Sequence, residues 1–383
     1  MESALTKTEL DTPIYDSESA ISITSLSKVY HGSTVVYHDE AIGHLQTVEI
    51  EDISTYYDEQ YQFFDQSDED DIVYKIVDGQ KVYRQQHQVE TLLRKVDFSE
   101  PLKVLDYGCA KGTVMKRLAA EKASVTPYLF DVSDAYSPLW DKFLTSEQYA
   151  SYEVKTEWNG MFDLVTSFFA LEHTADPLLE LRTIKGLLKD EGLVYLIVPN
   201  VFANTGDFIV VDHVHHYSEA SLTYMLSQVG FEVMEIDAES HFAAFIVVGR
   251  KTSSSTLAFE YPVDELENIN GKIQDIALFW REAKQRIKAF ETENSGSISA
   301  IYGAGVYGNY IYSCLESAEQ CVAFLDQNPL LIGAETMDKP ILHPDDLPAE
   351  VEAVYVGLNP LISRDAIGSI ESWKNKTLTK MFI

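Results

Sequence analysis

The chain is poor in cysteine, in basic side chains and in long apolar runs, and each shortage removes a class of function. Three cysteines in 383 residues, Cys109, Cys314 and Cys321, can build neither a four-thiolate zinc site nor a disulfide framework, which fits a reducing compartment. Lysine and arginine number 29 against 61 aspartates and glutamates. The resulting net charge of −32 repels a phosphate backbone and an anionic membrane surface, so nucleic acid is not the expected substrate. No apolar run approaches membrane-spanning length, and residues 1–7 lack a basic region followed by an apolar stretch. A soluble cytoplasmic protein with no membrane partner is expected.

At this length two cores and a small appendage are expected. Residues 1–78 are polar and tyrosine-rich, with short β-like pieces such as 33–38 and an acidic run at 65–71 that reads as a solvated loop. From residue 82 to 96 the pattern turns helical. Strand-length apolar runs then end at Leu105 and cover 128–131, 162–167 and 193–198, separated by helical stretches, the alternation of a parallel sheet covered on both faces. A helical segment from Glu219 to Val229 meets Gly230, and the runs 231–236 and 242–248 follow with too short a connection for a crossover helix. They must pair antiparallel.

Between 263 and 290, Leu266, Ile269, Ile273, Ile276, Trp280, Ala283, Ile287 and Phe290 form one helical stripe. It is read as a connecting helix packed on a neighbouring domain, with a homodimer seam as the alternative. A second α/β unit starts at Ile298. The expected organisation is a small amino-terminal module (1–78), a central α/β domain (79–252), a connecting helix (253–294) and a Rossmann-like α/β domain (295–383).

The most informative segment is Val104-Leu105-Asp106-Tyr107-Gly108-Cys109-Ala110-Lys111-Gly112, a buried strand entering a glycine-bounded turn. A dinucleotide fingerprint requires glycines at 108, 110 and 113, but Ala110 and Thr113 stand there. The alternative is an ordinary strand-to-helix turn. In the last unit, Gly303-Ala304-Gly305-Val306-Tyr307-Gly308 keeps G-x-G-x-x-G intact, with Asp326 at the expected distance. Alone it suggests NAD. A substrate-binding role for Gly303, Gly305 and Tyr307 is preferred, because a cofactor site already exists upstream.

A third constellation, Asp212-His213-Val214-His215-His216-Tyr217-Ser218, precedes the last helix of the central domain. Three histidines in four residues invite a metal, but His215 and His216 point in different directions and no cysteine is nearby, so no metal is expected. One histidine acting as a general base, with Asp212 polarising it, is preferred, and a helix-capping role fits at least one of the three.

The D-x-G-x-x-x-G pattern at 106–112 and the antiparallel closing hairpin resemble the class I S-adenosylmethionine (SAM) methyltransferases over residues 80–250. That resemblance implies a seven-stranded sheet. It also implies that Asp106, Gly108, Cys109, Ala110 and Gly112 hold the amino acid end of SAM, that Asp131 accepts the ribose hydroxyls, and that Phe168 lies by the sulfonium. The order of modules resembles the nucleotide-sugar C-methyltransferases of deoxysugar biosynthesis. This second resemblance implies an acid–histidine base, matched by Asp212 and His213, and an amino-terminal tyrosine at the sugar site, matched by Tyr57 or Tyr61. His173 and His216 are the further acceptor-site candidates. The zinc cysteines of that family's amino-terminal module are missing here. The expected activity is base-assisted methylation of a sugar, nucleotide-linked and destined for a polysaccharide or glycosylated metabolite, on carbon or oxygen. The alternative is a nicotinamide-dependent sugar oxidoreductase using the second glycine loop.

Overall fold

The computed structural model describes residues 1–50, 73–77 and 80–383. The chain folds into two compact units. The first comprises residues 1–10, 39–203 and 214–267, and the second 11–38, 204–213 and 268–383.

The first unit is organised around a seven-stranded sheet of β1 (Leu102–Tyr107), β2 (Val125–Asp131), β3 (Tyr149–Ser151), β4 (Phe162–Phe168), β5 (Leu188–Pro199), β6 (Phe231–Asp237) and β7 (Ala244–Lys251). Their spatial order is β3-β2-β1-β4-β5-β7-β6. The first five are parallel, β7 runs antiparallel to β5, and β6 runs antiparallel to β7, as the short connection requires. Strand side chains alternate between two buried layers. Leu105, Val165, Val194 and Leu196 pack with α3 (Pro177–Leu187) and α4 (Glu219–Val229), while Val104, Leu164, Tyr195 and Ile197 pack with α1 (Arg84–Lys95) and α2 (Thr113–Glu121).

Local chemistry sets the helix ends. Ser218 and Ser221 form a reciprocal capping box at the start of α4, and Gly230 ends it in the left-handed region at φ +77°. Pro177 follows the cap Asp176, which accepts from the Leu179 amide at 3.0 Å and starts α3. A short strand, His44–Thr47, pairs antiparallel with His215–His216. The facing side chains also bond: His44 Nε2 lies 3.0 Å from His215 Nδ1, and Thr47 Oγ1 lies 3.0 Å from His216 Nε2. Burial, and then the neighbouring His216, lowers the His215 pKa to about 3, so the His215 ring is neutral in this pairing.

The second unit holds a six-stranded sheet of β8 (Ile298–Tyr302), β9 (Cys321–Leu325), β10 (Glu335–Thr336), β11 (Lys339–Leu342), β12 (Val351–Val356) and β13 (Thr379–Phe382), ordered β10-β11-β9-β8-β12-β13. All are parallel to their neighbours except β10. The long helix α5 (Val263–Glu293) belongs to this unit from residue 268 onward, and α6 (Val306–Cys314) and α7 (Pro360–Gly368) complete the described longer helices. The apolar stripe on α5 is covered within the chain: Ile273, Ala277, Trp280, Ala283 and Ile287 are buried, and Trp280 stacks on Tyr307 at 5.6 Å and donates to the Thr205 carbonyl at 2.8 Å. The packed-helix expectation describes this surface, and a homodimer seam is not needed to cover it. Residues 11–38, expected with the amino-terminal module, cluster with the second unit, tied to it by the Ser27 carbonyl accepting from Asn309 Nδ2 at 2.7 Å.

Candidate functional site

In the first unit the turn after β1 is built as a cradle. The Gly108 and Cys109 amides both donate to the Phe130 carbonyl on β2, at 2.9 and 3.1 Å, which curls the chain off the strand. Gly108 (φ +78°), Ala110 (φ +45°) and Gly112 (φ +67°) all occupy the left-handed region. A Cβ on Gly108 would lie 2.7 Å from Ala170 Cβ, and one on Gly112 would lie 2.6 Å from Leu129 Cδ1. Glycine is therefore required at both positions by space as well as by φ. Ala110 tolerates its φ because its backbone is held at both ends: its amide donates to Asp131 Oδ2 at 2.7 Å and its carbonyl accepts from Trp140 Nε1 at 2.8 Å.

Two carboxylates face this turn. Asp106 is buried and accepts from Thr166 Oγ1 on β4 at 2.9 Å. Burial dominates its ionisation and raises its pKa to about 7; the Thr166 bond opposes this and the charge of Asp131 adds to it. Asp131 is also held above the usual carboxylate range by burial, against the amides of Ala110, Ser133 and Val132. Two buried acids with no cationic partner among the described residues are an electrostatic cost, which a ligand ammonium at Asp106 and ligand hydroxyls at Asp131 would relieve. Cys109 contributes backbone to the cradle; its thiol is buried, with its pKa raised by burial and then by Asp131 and Asp106.

The carboxyl end of β4 closes the other side. Phe168 is half-buried, its ring 5.9 Å from that of Tyr195, and Phe169 takes a left-handed φ of +55°, held by its amide donating to the Ile197 carbonyl at 2.8 Å. A bulky residue in that region costs on the order of 1 kcal/mol or more and concentrates at ligand sites. The Phe169 ring meets His241 edge-on at 5.5 Å, and His173 lies half-buried in the turn that follows.

Several expected site residues are placed differently. His213 belongs to the second unit, where its Nδ1 lies 2.6 Å from Asp207 Oδ1. Asp212, expected to polarise it, instead accepts from the Ser25 amide and Ser25 Oγ, both at 2.7 Å. The acid of the acid–histidine pair is therefore Asp207, supplied by the 3₁₀ turn Thr205–Ile209. Neighbours in sequence need not face one another, and Asp207 carried no signal that set it apart from other loop acids. His216 is buried in its strand pair, its Nε2 3.0 Å from Thr47 Oγ1. Tyr307 is also committed elsewhere: its hydroxyl accepts from the Gly206 amide at 2.6 Å and donates to Asn204 Oδ1 at 2.9 Å, a structural clamp rather than a substrate contact. Tyr57 and Tyr61 lie outside the described residues.

In the second unit's glycine turn, a Cβ on Gly308 would come within 1.8 Å of the Gly303 carbonyl, and one on Gly303 within 2.3 Å of the Gly357 carbonyl. These two glycines let backbone pack on backbone. Gly305 alone has open space where a Cβ would stand, and Asp326 Oδ2 accepts from the Ala304 amide at 3.0 Å. Residues that sequence reasoning did not single out are Thr166, Trp140, His241 and Asp207, none of which carried a signal of its own; Phe169 was read with Phe168 as facing the sulfonium.

A family model described as a methyltransferase domain matches residues 80–236. The ubiquinone biosynthesis O-methyltransferase of Vibrio parahaemolyticus serotype O3:K6 (strain RIMD 2210633) is 32% identical over 124 residues, 30% of this chain and 53% of that protein. The enzyme of the same name from Xanthomonas campestris pv. campestris (strain B100) is 34% identical over 109 residues, 26% of this chain and 43% of that protein. The chain thus spans about half the length of the curated relatives it matches. Among solved structures, Burkholderia thailandensis 1,6-didemethyltoxoflavin-N1-methyltransferase with bound 1,6-didemethyltoxoflavin and S-adenosylhomocysteine aligns at 17% identity with a TM-score of 0.35, over 44% of this chain and 79% of that one.

Proposed function

We propose, from the premise that residues 80–236 are a class I SAM-dependent methyltransferase domain, that the whole chain methylates a hydroxyl-bearing small molecule of the sugar class, with His213 as its base. The observation that carries the reading is the buried Asp106 beside a left-handed glycine cradle: an acid held partly protonated by burial is a site for a cation, and SAM carries an ammonium at its amino acid end. Asp106 and the turn 108–112 would hold that end, Asp131 the ribose, and the aromatic end of β4 the sulfonium. When bound, the sulfonium supplies a methyl group already activated for in-line displacement.

The chain's own residues must orient the acceptor and take its proton. The Asp207–His213 pair suits that task. With Nδ1–H donated to Asp207, Nε2 is the basic nitrogen of that tautomer, and the carboxylate favours the imidazolium formed when the acceptor's proton arrives. Oxygen is the favoured nucleophile, because both curated relatives are O-methyltransferases by name. The module order that resembles sugar C-methyltransferases supports the acceptor class. Carbon methylation is distinguished by exchange of the acceptor's α-proton with deuterated water.

The test is transfer of label from SAM to a panel of nucleotide-linked and free sugars, with His213→Gln and Asp212→Asn alongside. His213→Gln should lower the rate by about 10²- to 10⁴-fold with the SAM-induced melting shift kept, and Asp212→Asn should not. No melting shift with saturating SAM overturns the cofactor reading; a shift without transfer to any sugar overturns the acceptor class. A second reading, a nicotinamide-dependent sugar oxidoreductase, is favoured by one observation, the glycine turn at 303–308 with Asp326 at the end of the adjacent parallel strand. Binding of NAD(P) that is abolished by Gly305→Val would support it.

A further inference from the structure

A cavity of about 290 Å³ lies within the second unit, walled by residues 15–23, by α5 around Lys284 and by the end of α6. Its lining mixes polar and apolar side chains, and its charges are unevenly balanced. Lys288 is neutralised by Glu316 at 2.6 Å. Lys284, one turn earlier on α5, is half-buried on the same wall, and its recorded polar contact is a long one, 3.5 Å from Nζ to the Ser17 carbonyl. No ion pair to Lys284 occurs among the described residues. The remaining charge on the wall is the carboxylate of Glu18, which is exposed to solvent. Tyr15 and Tyr310 are buried on the same wall, and their hydroxyls interact with one another. Burial pushes Tyr15 up to about 12, and Tyr310 is raised in the same direction, so both remain neutral hydroxyls.

A partly desolvated ammonium turned onto a cavity and left with a single carbonyl is a site for an anion. The phenols and the serine and threonine hydroxyls around it suit a ligand that carries hydroxyls of its own. At about 30 Å³ per water, the cavity has room for roughly ten non-hydrogen atoms.

We infer that this cavity binds a small hydroxylated anion, a hydroxy acid or a polyol phosphate, whose charged end pairs with Lys284 and whose hydroxyls meet Tyr15, Tyr310 and Ser17. The site is distinct from the turn that holds the methyl donor, and it stands or falls independently of the methyltransferase reading. Cys314 lies on the same wall and serves as a reporter of occupancy.

Calorimetry on the full chain with threonate, glycerol 3-phosphate and neutral erythritol tests the inference. At least one of the two anions should bind at least about tenfold more tightly than erythritol, and which of the two binds separates a carboxylate ligand from a phosphate ligand. Lys284→Gln should weaken that binding at least about tenfold, and Lys284→Arg should retain it. In the unmodified protein the same anion should slow alkylation of Cys314 by iodoacetamide, a readout that does not depend on a variant folding. Failure of both anions to bind at about 10 mM, equal binding by Lys284→Gln, or binding that leaves Cys314 alkylation unchanged would each overturn it.

Discussion

The chain carries two glycine turns between a parallel strand and a helix, and they are alike in one respect and opposite in another. In each, an acid at the end of the second strand accepts a hydrogen bond from the backbone of the turn: Asp131 from the Ala110 amide, Asp326 from the Ala304 amide. The residue two before the first glycine differs. In the first unit it is Asp106, buried with its pKa raised to about 7, and in the second it is Ile301, an ordinary core residue. The glycines differ in what surrounds them: Gly108, Gly112 and Gly303 all take positive φ, but a Cβ on Gly108 or Gly112 would meet side chains, whereas Gly303 and Gly308 make room for backbone packed on backbone. The intact G-x-G-x-x-G therefore marks tight packing as readily as a ligand, and the less complete motif upstream holds the feature that calls for a cation. A fingerprint's completeness is a weaker guide to binding than the electrostatic demand of its surroundings.

That contrast can be broken most directly at Gly308. Gly308→Ala drives a Cβ into the Gly303 carbonyl, so it should destabilise the second unit by at least about 3 kcal/mol, read as a lowered denaturation midpoint, while SAM binding by the first unit survives. Loss of SAM binding with it would show that the two turns are not independent.

The next effect is at Asp106. Its pKa is raised in the folded state, so its protonated form favours folding. That contribution is complete below the unfolded value near 4 and is lost as pH rises through about 7, a span that amounts to at most about 4 kcal/mol. Asp106→Asn should flatten the fall in ligand-free stability across this window, followed by urea melts from pH 4 to 8, and should also weaken SAM binding by about 100-fold. If stability and SAM affinity both stay as in the unmodified protein, the first turn is no different from the second.

The smallest effect belongs to Gly305, where a Cβ meets nothing within 4 Å. Gly305→Ala should change the denaturation midpoint by less than about 0.5 kcal/mol. A large loss would mean that this glycine, too, is required by packing.

Much of the fold was legible in the sequence because its signals are local. The boundaries of α4 follow from Ser218 and Gly230, and the antiparallel end of the first sheet follows from a connection too short to cross over. The geometry of the first turn was legible to the same degree, since Asp106, Gly108, Gly112 and Asp131 all sit on consecutive elements. What was not legible depends on partners distant in the chain. Residues 11–38 join the second unit through contacts such as that of Ser27 with Asn309, and Asp212 is drawn from His213 to Ser25, 187 residues away in sequence. Tyr307 reads as a ligand contact in its motif and is a clamp on Gly206 in space, because a glycine motif reports backbone shape and says nothing of where the intervening side chain goes.

The pairing of His44 with His215 has a practical side. The His215 imidazole, joined to that of His44 in a place where water cannot share the charge, favours its unprotonated state. Acidification sets the proton's demand for solvent against the strand His44–Thr47, so that strand should be the first part of the amino-terminal segment to come loose from its partner. Storage, affinity elution and crystallisation trials are best kept near neutral pH, where that joint holds.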